Sequence, residues 1–79
     1  MPLYFFDIVD GEDLPDLNGS QHPDLTAARV EAIRYSGEVL REMPERFWNA
    51  EEWTMTVSDE TRATLFTLKF LAQSTPSPT

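Results

Sequence analysis

Cysteine is absent from this chain, which removes a disulfide framework, a thiolate metal site and cysteine nucleophile chemistry from consideration. A reducing compartment permits the same absence. Histidine occurs once, at His22. No run approaches the roughly 18 apolar residues of a membrane span, and no basic-then-apolar leader marks export, so a cytoplasmic protein is expected. Basic residues are missing from the N-terminal third: Arg29 is the first, whereas Asp7, Asp10, Glu12, Asp13, Asp16 and Asp24 all precede it. With a formal net charge of −8, such a chain repels phosphate backbones and anionic membrane surfaces. Direct nucleic-acid binding and membrane binding are therefore not expected. The acidity serves solubility, or it faces a basic partner surface or a cation.

Length sets a further bound. A chain of 79 residues is one domain, near the lower end of what folds without disulfides, metal or association. A core of this size gives roughly 3–5 kcal/mol of net stability, so self-association into a homo-oligomer, a homodimer in the simplest case, is expected. The sequence contains no internal repeat.

What is present is a dominant apolar stretch over 2–10, Pro2-Leu3-Tyr4-Phe5-Phe6-Asp7-Ile8-Val9-Asp10. It is rich in aromatic and β-branched residues and closes on an Asp10-Gly11 turn, which predicts a strand. Tyr4, Phe6 and Ile8 then lie on one face and Leu3, Phe5 and Val9 on the other. Being apolar on both faces, the strand belongs towards the middle of a sheet. Pro15 has no N–H for a ladder, so only a short edge strand fits over 13–17. Asp16-Leu17-Asn18-Gly19 is a turn, with Asn-Gly suited to positive φ.

The clearest element is a helix over 24–43. Asp24 is a good N-cap, and Pro44 ends the helix by biasing Met43 away from helical geometry. At 100° per residue, Leu25, Ala28, Ala32, Ile33, Tyr35, Ser36, Val39, Leu40 and Met43 fall on one broad side, opposite Glu31, Arg34, Glu38, Arg41 and Glu42. Gly37 costs roughly 1 kcal/mol in a helix interior, and beside Ser36 it suggests a close approach to a neighbour. The connection over 44–52 carries Phe47 and Trp48 among charges, with room for one helical turn. From Trp53 the period becomes two: Trp53, Met55 and Val57 alternate with threonines, Asp59-Glu60-Thr61-Arg62 reverses the chain, and Phe66, Leu68 and Phe70 return. This predicts a half-buried hairpin. Residues 72–79 have no periodicity and read as a mobile tail. The expected fold is α+β in two layers: a small, mainly antiparallel sheet of three to four strands, one amphipathic helix on one face, and the order β-(β)-α-β-β within a domain over 1–71.

The combination Tyr4-Phe5-Phe6, Asp10-Gly11, Asp16-Leu17-Asn18-Gly19, Asp24-Leu25-Thr26-Ala27-Ala28, Glu31-Ala32, Asp59, Leu65 and Phe70 resembles an uncharacterised family of short bacterial proteins. Those chains carry an aromatic strand ending in Asp-Gly, an Asp-x-x-Gly turn, an Ala-rich helix and a C-terminal hairpin. The likeness covers residues 2–70. Where the family's last turn carries a glycine, this chain has Thr61 or Arg62. The resemblance implies a fold, and no catalytic residue, binding residue or cofactor.

Chemistry is sparsely signalled. Asp16-Leu17-Asn18-Gly19 has the core of a calcium loop, but setting Gly19 at the sixth EF-hand position puts Leu14 and Leu25 where oxygen ligands are needed. Turn formation explains Asp16 and Asn18. Asp10, Glu12, Asp13 and Asp16 leave weak divalent-cation or small-ligand binding at the 10–16 turn as an alternative. His22, beside Pro23, reads as an exposed loop residue. Asp7 lies inside an apolar strand, where an unpaired buried charge is costly. Either it sits at an exposed edge, or an arginine such as Arg62 pairs with it, or it serves as a general acid–base group. No Gly-rich phosphate loop or serine elbow is present. No catalytic, cofactor or metal residues are assigned.

The remaining signal is apolar surplus. Leu3, Phe5 and Val9, with Phe47, Trp48 and Leu65, exceed what one helix on one sheet face can cover. Either the 44–52 connection folds over the second face and completes the core, or Leu3, Phe5, Val9, Phe47 and Trp48 form a contact surface for a second copy or another protein. The reading that follows is a small acidic, non-enzymatic protein-interaction module that self-associates.

Overall fold

A computed structural model describes residues 1–76 and shows seven elements: β1 (Leu3–Val9), β2 (Asp13–Leu14), β3 (Ser20–Gln21), α1 (Leu25–Glu42), α2 (Pro44–Ala50), β4 (Glu52–Ser58) and β5 (Thr64–Leu71). All strand pairs are antiparallel, the order is β2-β1-β4-β5, and β3 pairs with β1 upstream of β2. The expected two-layer α+β fold is present, with β1 inside the sheet and the C-terminal hairpin beside it. The strand count exceeds the expected three to four because the edge strand of 13–17 shrinks to Asp13–Leu14 and Ser20–Gln21 adds a second short pairing. Residues 72–76 form no helix or strand. The rest of the expected tail, 77–79, lies outside the described residues.

One face of the sheet carries the core. Tyr4, Phe6 and Ile8 of β1 and Trp53, Met55 and Val57 of β4 are all buried. The register sets Phe6 against Val57 and Ile8 against Met55, then Met55 against Leu68 and Val57 against Phe66. Large side chains from the sheet fill this layer, so the helix above contributes small ones. Ala28, Ala32 and Ser36, spaced four apart on one stripe of α1, are its buried residues. This is narrower than the expected helical face. Ile33 is 62% exposed, and Tyr35 and Met43 also lie at the surface, because a helix seated on so close a stripe has no space beneath its flanks. Gly37 is not the point of approach either: a Cβ there would meet nothing within 4 Å. Ser36 takes that role, its buried hydroxyl satisfied by donating to the Ala32 carbonyl (2.6 Å).

Local chemistry sets the ends of α1. The Asp24 carboxylate accepts from Ala27 N–H (2.8 Å), as an N-cap should, and Met43 N–H donates to the Val39 carbonyl (3.0 Å). Pro44 then opens a second helix, which exceeds the single turn expected within 44–52. Proline suits the first helical position because its missing N–H is not needed there. Glu51, at φ 59°, closes α2 and turns the chain into β4. The connection does not fold over the second sheet face. Phe47 packs on the same core as α1, since α2 follows α1 directly on that side of the sheet.

Candidate functional site

Two arginines organise the charged residues of the N-terminal third. Asp10 follows β1 directly with its side chain only 1% exposed, and Arg46 of α2 clamps it through Nε and Nη2, both at 2.9 Å. Glu12 joins at 3.4 Å. Paired N–H groups of a guanidinium match a carboxylate in this way. The Arg46 hydrogen bond holds the Asp10 carboxyl below the usual carboxylate range against the opposing effect of burial, and the same bond raises Arg46. α2 is thereby tied to the turn after β1.

Asp7 belongs to the second cluster. Its Oδ1 accepts from Asp16 N–H (2.7 Å) and its Oδ2 from Arg62 Nη1 (3.1 Å). Arg62 also donates through Nη2 to the Asp16 carbonyl (3.0 Å) and stacks with Cζ 3.7 Å from the Phe5 ring centre. Of the three readings open for Asp7, pairing with Arg62 describes the structure. Arg62 lies in the turn before β5 at φ 69°, the left-handed conformation that glycine adopts without strain. Of Thr61 and Arg62, it is Arg62 that takes the positive φ, and its side-chain contacts hold it there. Asp59 completes that turn, accepting from Thr61 Oγ1 (2.6 Å), Thr61 N–H (2.8 Å) and Ala63 N–H (3.1 Å). The bond from the Thr61 side chain lowers its carboxyl.

Asp16 acts as a substitute strand. Between the short pairings of β2 and β3, Phe6 N–H has no ladder partner, and Asp16 Oδ2 accepts from it (3.1 Å). Its Oδ1 accepts from Asn18 N–H and Gly19 N–H, which is the Asx-type turn expected of this motif. Gly19 is at φ 70°, and a Cβ there would sit 2.9 Å from the Tyr4 carbonyl. Asp10 and Asp16 therefore spend their oxygens on a guanidinium and on backbone N–H groups. Among the described residues, no group of three or more metal-type side chains is placed to hold an ion.

His22 departs from its expected exposure. It is half-buried, with its ring 6.0 Å from that of Tyr4 and 5.7 Å from that of Phe6. Its Nε2 lies 3.0 Å from Ser20 Oγ, and its backbone N–H donates to the Pro2 carbonyl. It closes the end of the core where α1 begins.

The five candidate contact residues do not share a surface. Leu3, Phe5 and Val9 lie on the second face of the sheet, where Arg62 covers Phe5 and Val9 stays 46% exposed. Across β4 and β5 that face carries Thr54, Thr56 and Thr67 in register, a Lys69–Glu52 ion pair at 3.5 Å and, opposite Glu52, the exposed Leu71. Phe47 and Trp48 lie on the helix side. Adjacent helical residues point about 100° apart, so Phe47 reaches the core while Trp48 remains 61% exposed. Leu40, Pro44, Phe47, Trp48 and Phe70 line a shallow apolar groove of about 290 Å³. Phe70 and Leu71 are also exposed on β5. They lie on the edge strand, which no other element among the described residues flanks.

These features define a class: a two-layer α+β protein with an open antiparallel sheet, whose charged side chains brace its turns. The chain belongs to the family described as Domain of unknown function (DUF6894), which matches residues 3–71. No curated protein and no solved structure matches it.

Proposed function

We propose that this chain is a small acidic protein-interaction module without catalytic activity, working in a bacterial cytoplasm and self-associating through the β5 flank of its sheet. One observation carries the reading. β5 carries three of the exposed large apolar side chains, Leu65, Phe70 and Leu71, and Trp48 is exposed across the groove from Phe70. Exposed apolar side chains on both faces of an edge strand are the material of an interface, and tryptophan is enriched at the energetic centres of interfaces. Of the earlier candidates, Trp48 stays part of the surface, and Phe47 supports it from below with its ring 5.5 Å away. Leu3, Phe5 and Val9 lie on the sheet face that Leu71 shares, opposite Phe70 and Trp48.

The absence of catalysis is supported by the engagement of the carboxylates. Asp7, Asp10 and Asp16 all serve arginines or backbone N–H groups. The acidic N-terminal third argues against direct nucleic-acid binding. No helix of the described residues is long and apolar enough to cross a membrane. Sedimentation or light scattering at micromolar concentration tests the reading. A concentration-dependent dimer is expected, and a strict monomer removes self-association from it.

A further inference from the structure

β5 is the last strand of the sheet, and among the described residues nothing pairs with its outer edge. Beyond its end, Ala72 N–H donates to the Glu51 carbonyl (3.1 Å). In an antiparallel ladder, residues whose backbone groups face the neighbouring strand alternate with residues whose groups face away. Counting back from Ala72, Phe70, Leu68 and Phe66 turn their backbone groups to β4, while Leu71, Lys69 and Thr67 turn theirs outward. The strand has eight residues, roughly 26 Å of open edge at about 3.3 Å per residue.

Open edges are templates for pairing, and proteins guard them with short strands, proline, bulges or charge. The opposite edge of this sheet is guarded in that way. β2 and β3 have two residues each, Pro15 lies between them, and Asp16 occupies the gap. β5 has no proline, and its bulge lies at the Thr64 end. Its one lysine, Lys69, pairs with Glu52 of the neighbouring β4. Charge is also distributed to suit. All 14 acidic residues lie at or before Glu60, and from Thr61 onward Arg62 and Lys69 are the charged side chains. A second copy can approach this edge without setting carboxylate against carboxylate.

We propose that β5 pairs antiparallel with β5 of a second copy about a two-fold axis through Leu68, joining two sheets into one. This rests on the self-association reading and deepens it by naming the strand and the register. With the axis at Leu68, Thr67 faces the partner's Lys69, Phe66 faces Phe70 and Leu68 faces itself, and the bulged Leu65 comes nearest Leu71, so apolar side chains meet apolar ones. Moving the axis to Lys69 sets lysine against lysine, which is unfavourable for directly opposed pairs. Moving it to Thr67 sets Leu71 against Ala63, beyond the bulge. The two-fold stands perpendicular to the sheet and keeps both α1 helices on one side. The partly covered Phe66, Leu68 and Phe70 of each copy then gain apolar neighbours. This self-complementarity points to a second copy as the occupant.

Three variants and one exchange measurement test it. Thr67→Pro removes an outward N–H that has no partner strand among the described residues, a placement proline tolerates on an edge strand. It is expected to stay folded and to sediment as a monomer where the unaltered chain is a dimer. Leu68→Cys introduces the chain's sole thiol at a non-hydrogen-bonded pair on the axis, where Cα atoms lie about 4.5 Å apart, within disulfide range. It is expected to oxidise to a covalent dimer, and Phe70→Cys is not. Amide exchange at Thr67 and Lys69 is expected to slow as the concentration of the unaltered chain rises, which decides the matter if Thr67→Pro does not fold. A strict monomer overturns both this inference and the self-association reading. A dimer that survives Thr67→Pro, crosslinks better through F70C than through L68C, or shows no concentration-dependent protection at Thr67 and Lys69 overturns the β5 register and leaves self-association standing. Protection of those amides only on adding an unrelated β-strand peptide assigns the edge to a different protein and overturns the homodimer.

Discussion

Arg62 stands over Phe5, its guanidinium carbon 3.7 Å from the ring centre, while its Nη1 bonds Asp7 on the same face of β1. One side chain thus joins the hairpin turn to the central strand, covers an aromatic ring and satisfies a carboxylate. It does so from a left-handed backbone position, which costs a non-glycine residue roughly 1–2 kcal/mol.

That conflict makes Arg62 separable into backbone and side-chain parts. Arg62→Ala keeps the strained φ and loses the contacts, so it is expected to destabilise the chain by about 1–2 kcal/mol. Arg62→Gly loses the same contacts but relieves the backbone. It is expected to recover roughly 1 kcal/mol of that loss. Urea unfolding of the two variants, side by side, reads the difference; equal midpoints would show that the turn carries no strain.

Gly37 offers the opposite case. It lies within α1, and nothing within 4 Å meets an added Cβ. Gly37→Ala is expected to stabilise the chain by roughly 1 kcal/mol through helix propensity. Thermal unfolding checks it, and a lower midpoint would mean that the site serves a close contact after all.

At Gly19 the same replacement should be harmful. Alanine there faces both φ 70° and a Tyr4 carbonyl 2.9 Å from its Cβ. Gly19→Ala is expected to cost about 2 kcal/mol and to loosen the Asp16 turn. Faster amide exchange at Phe6, whose N–H bonds Asp16, is the local readout.

Acid should weaken the fold in a defined window. Arg46 holds Asp10 below its usual range, and Thr61 does the same for Asp59. A depressed carboxyl contributes stability that is complete above its unfolded value of about 3.9 and is lost as pH falls through the folded value. Unfolding free energy is therefore expected to decline as pH drops below about 4. Asp10→Asn should flatten that decline, as read by denaturant titrations at several pH values.

Cation binding at the 10–16 turn would have to compete with Arg46 for Asp10 and with backbone N–H groups for Asp16. Thermal unfolding with calcium, magnesium or manganese at millimolar concentration is expected to show no stabilisation. A raised midpoint would establish that the turn takes an ion.

Local chemistry made much of this fold legible in the sequence. Asp24 caps α1, Pro44 stops it, period-two alternation writes β1 and the hairpin, and Asp16-Leu17-Asn18-Gly19 forms its turn; each depends on residues a few positions apart. The order of elements and the interior place of β1 follow from those patterns, and Arg62 was already a candidate partner for Asp7. Tertiary structure decided the rest. Whether Phe47 or Trp48 turns inward depends on where α2 lies over the sheet. Ile33 is exposed and Ser36 buried because Trp53, Met55 and Val57 already fill the layer beneath α1. Arg46 finds Asp10, and Arg62 finds both Asp7 and Phe5, across sequence separations that no periodicity encodes. On the second face of the apolar stretch that begins the chain, an arginine from the far hairpin lies over Phe5 while Val9 stays exposed. Apolar surface also stays open along β5 and at Trp48, because among the described residues no element packs on that flank.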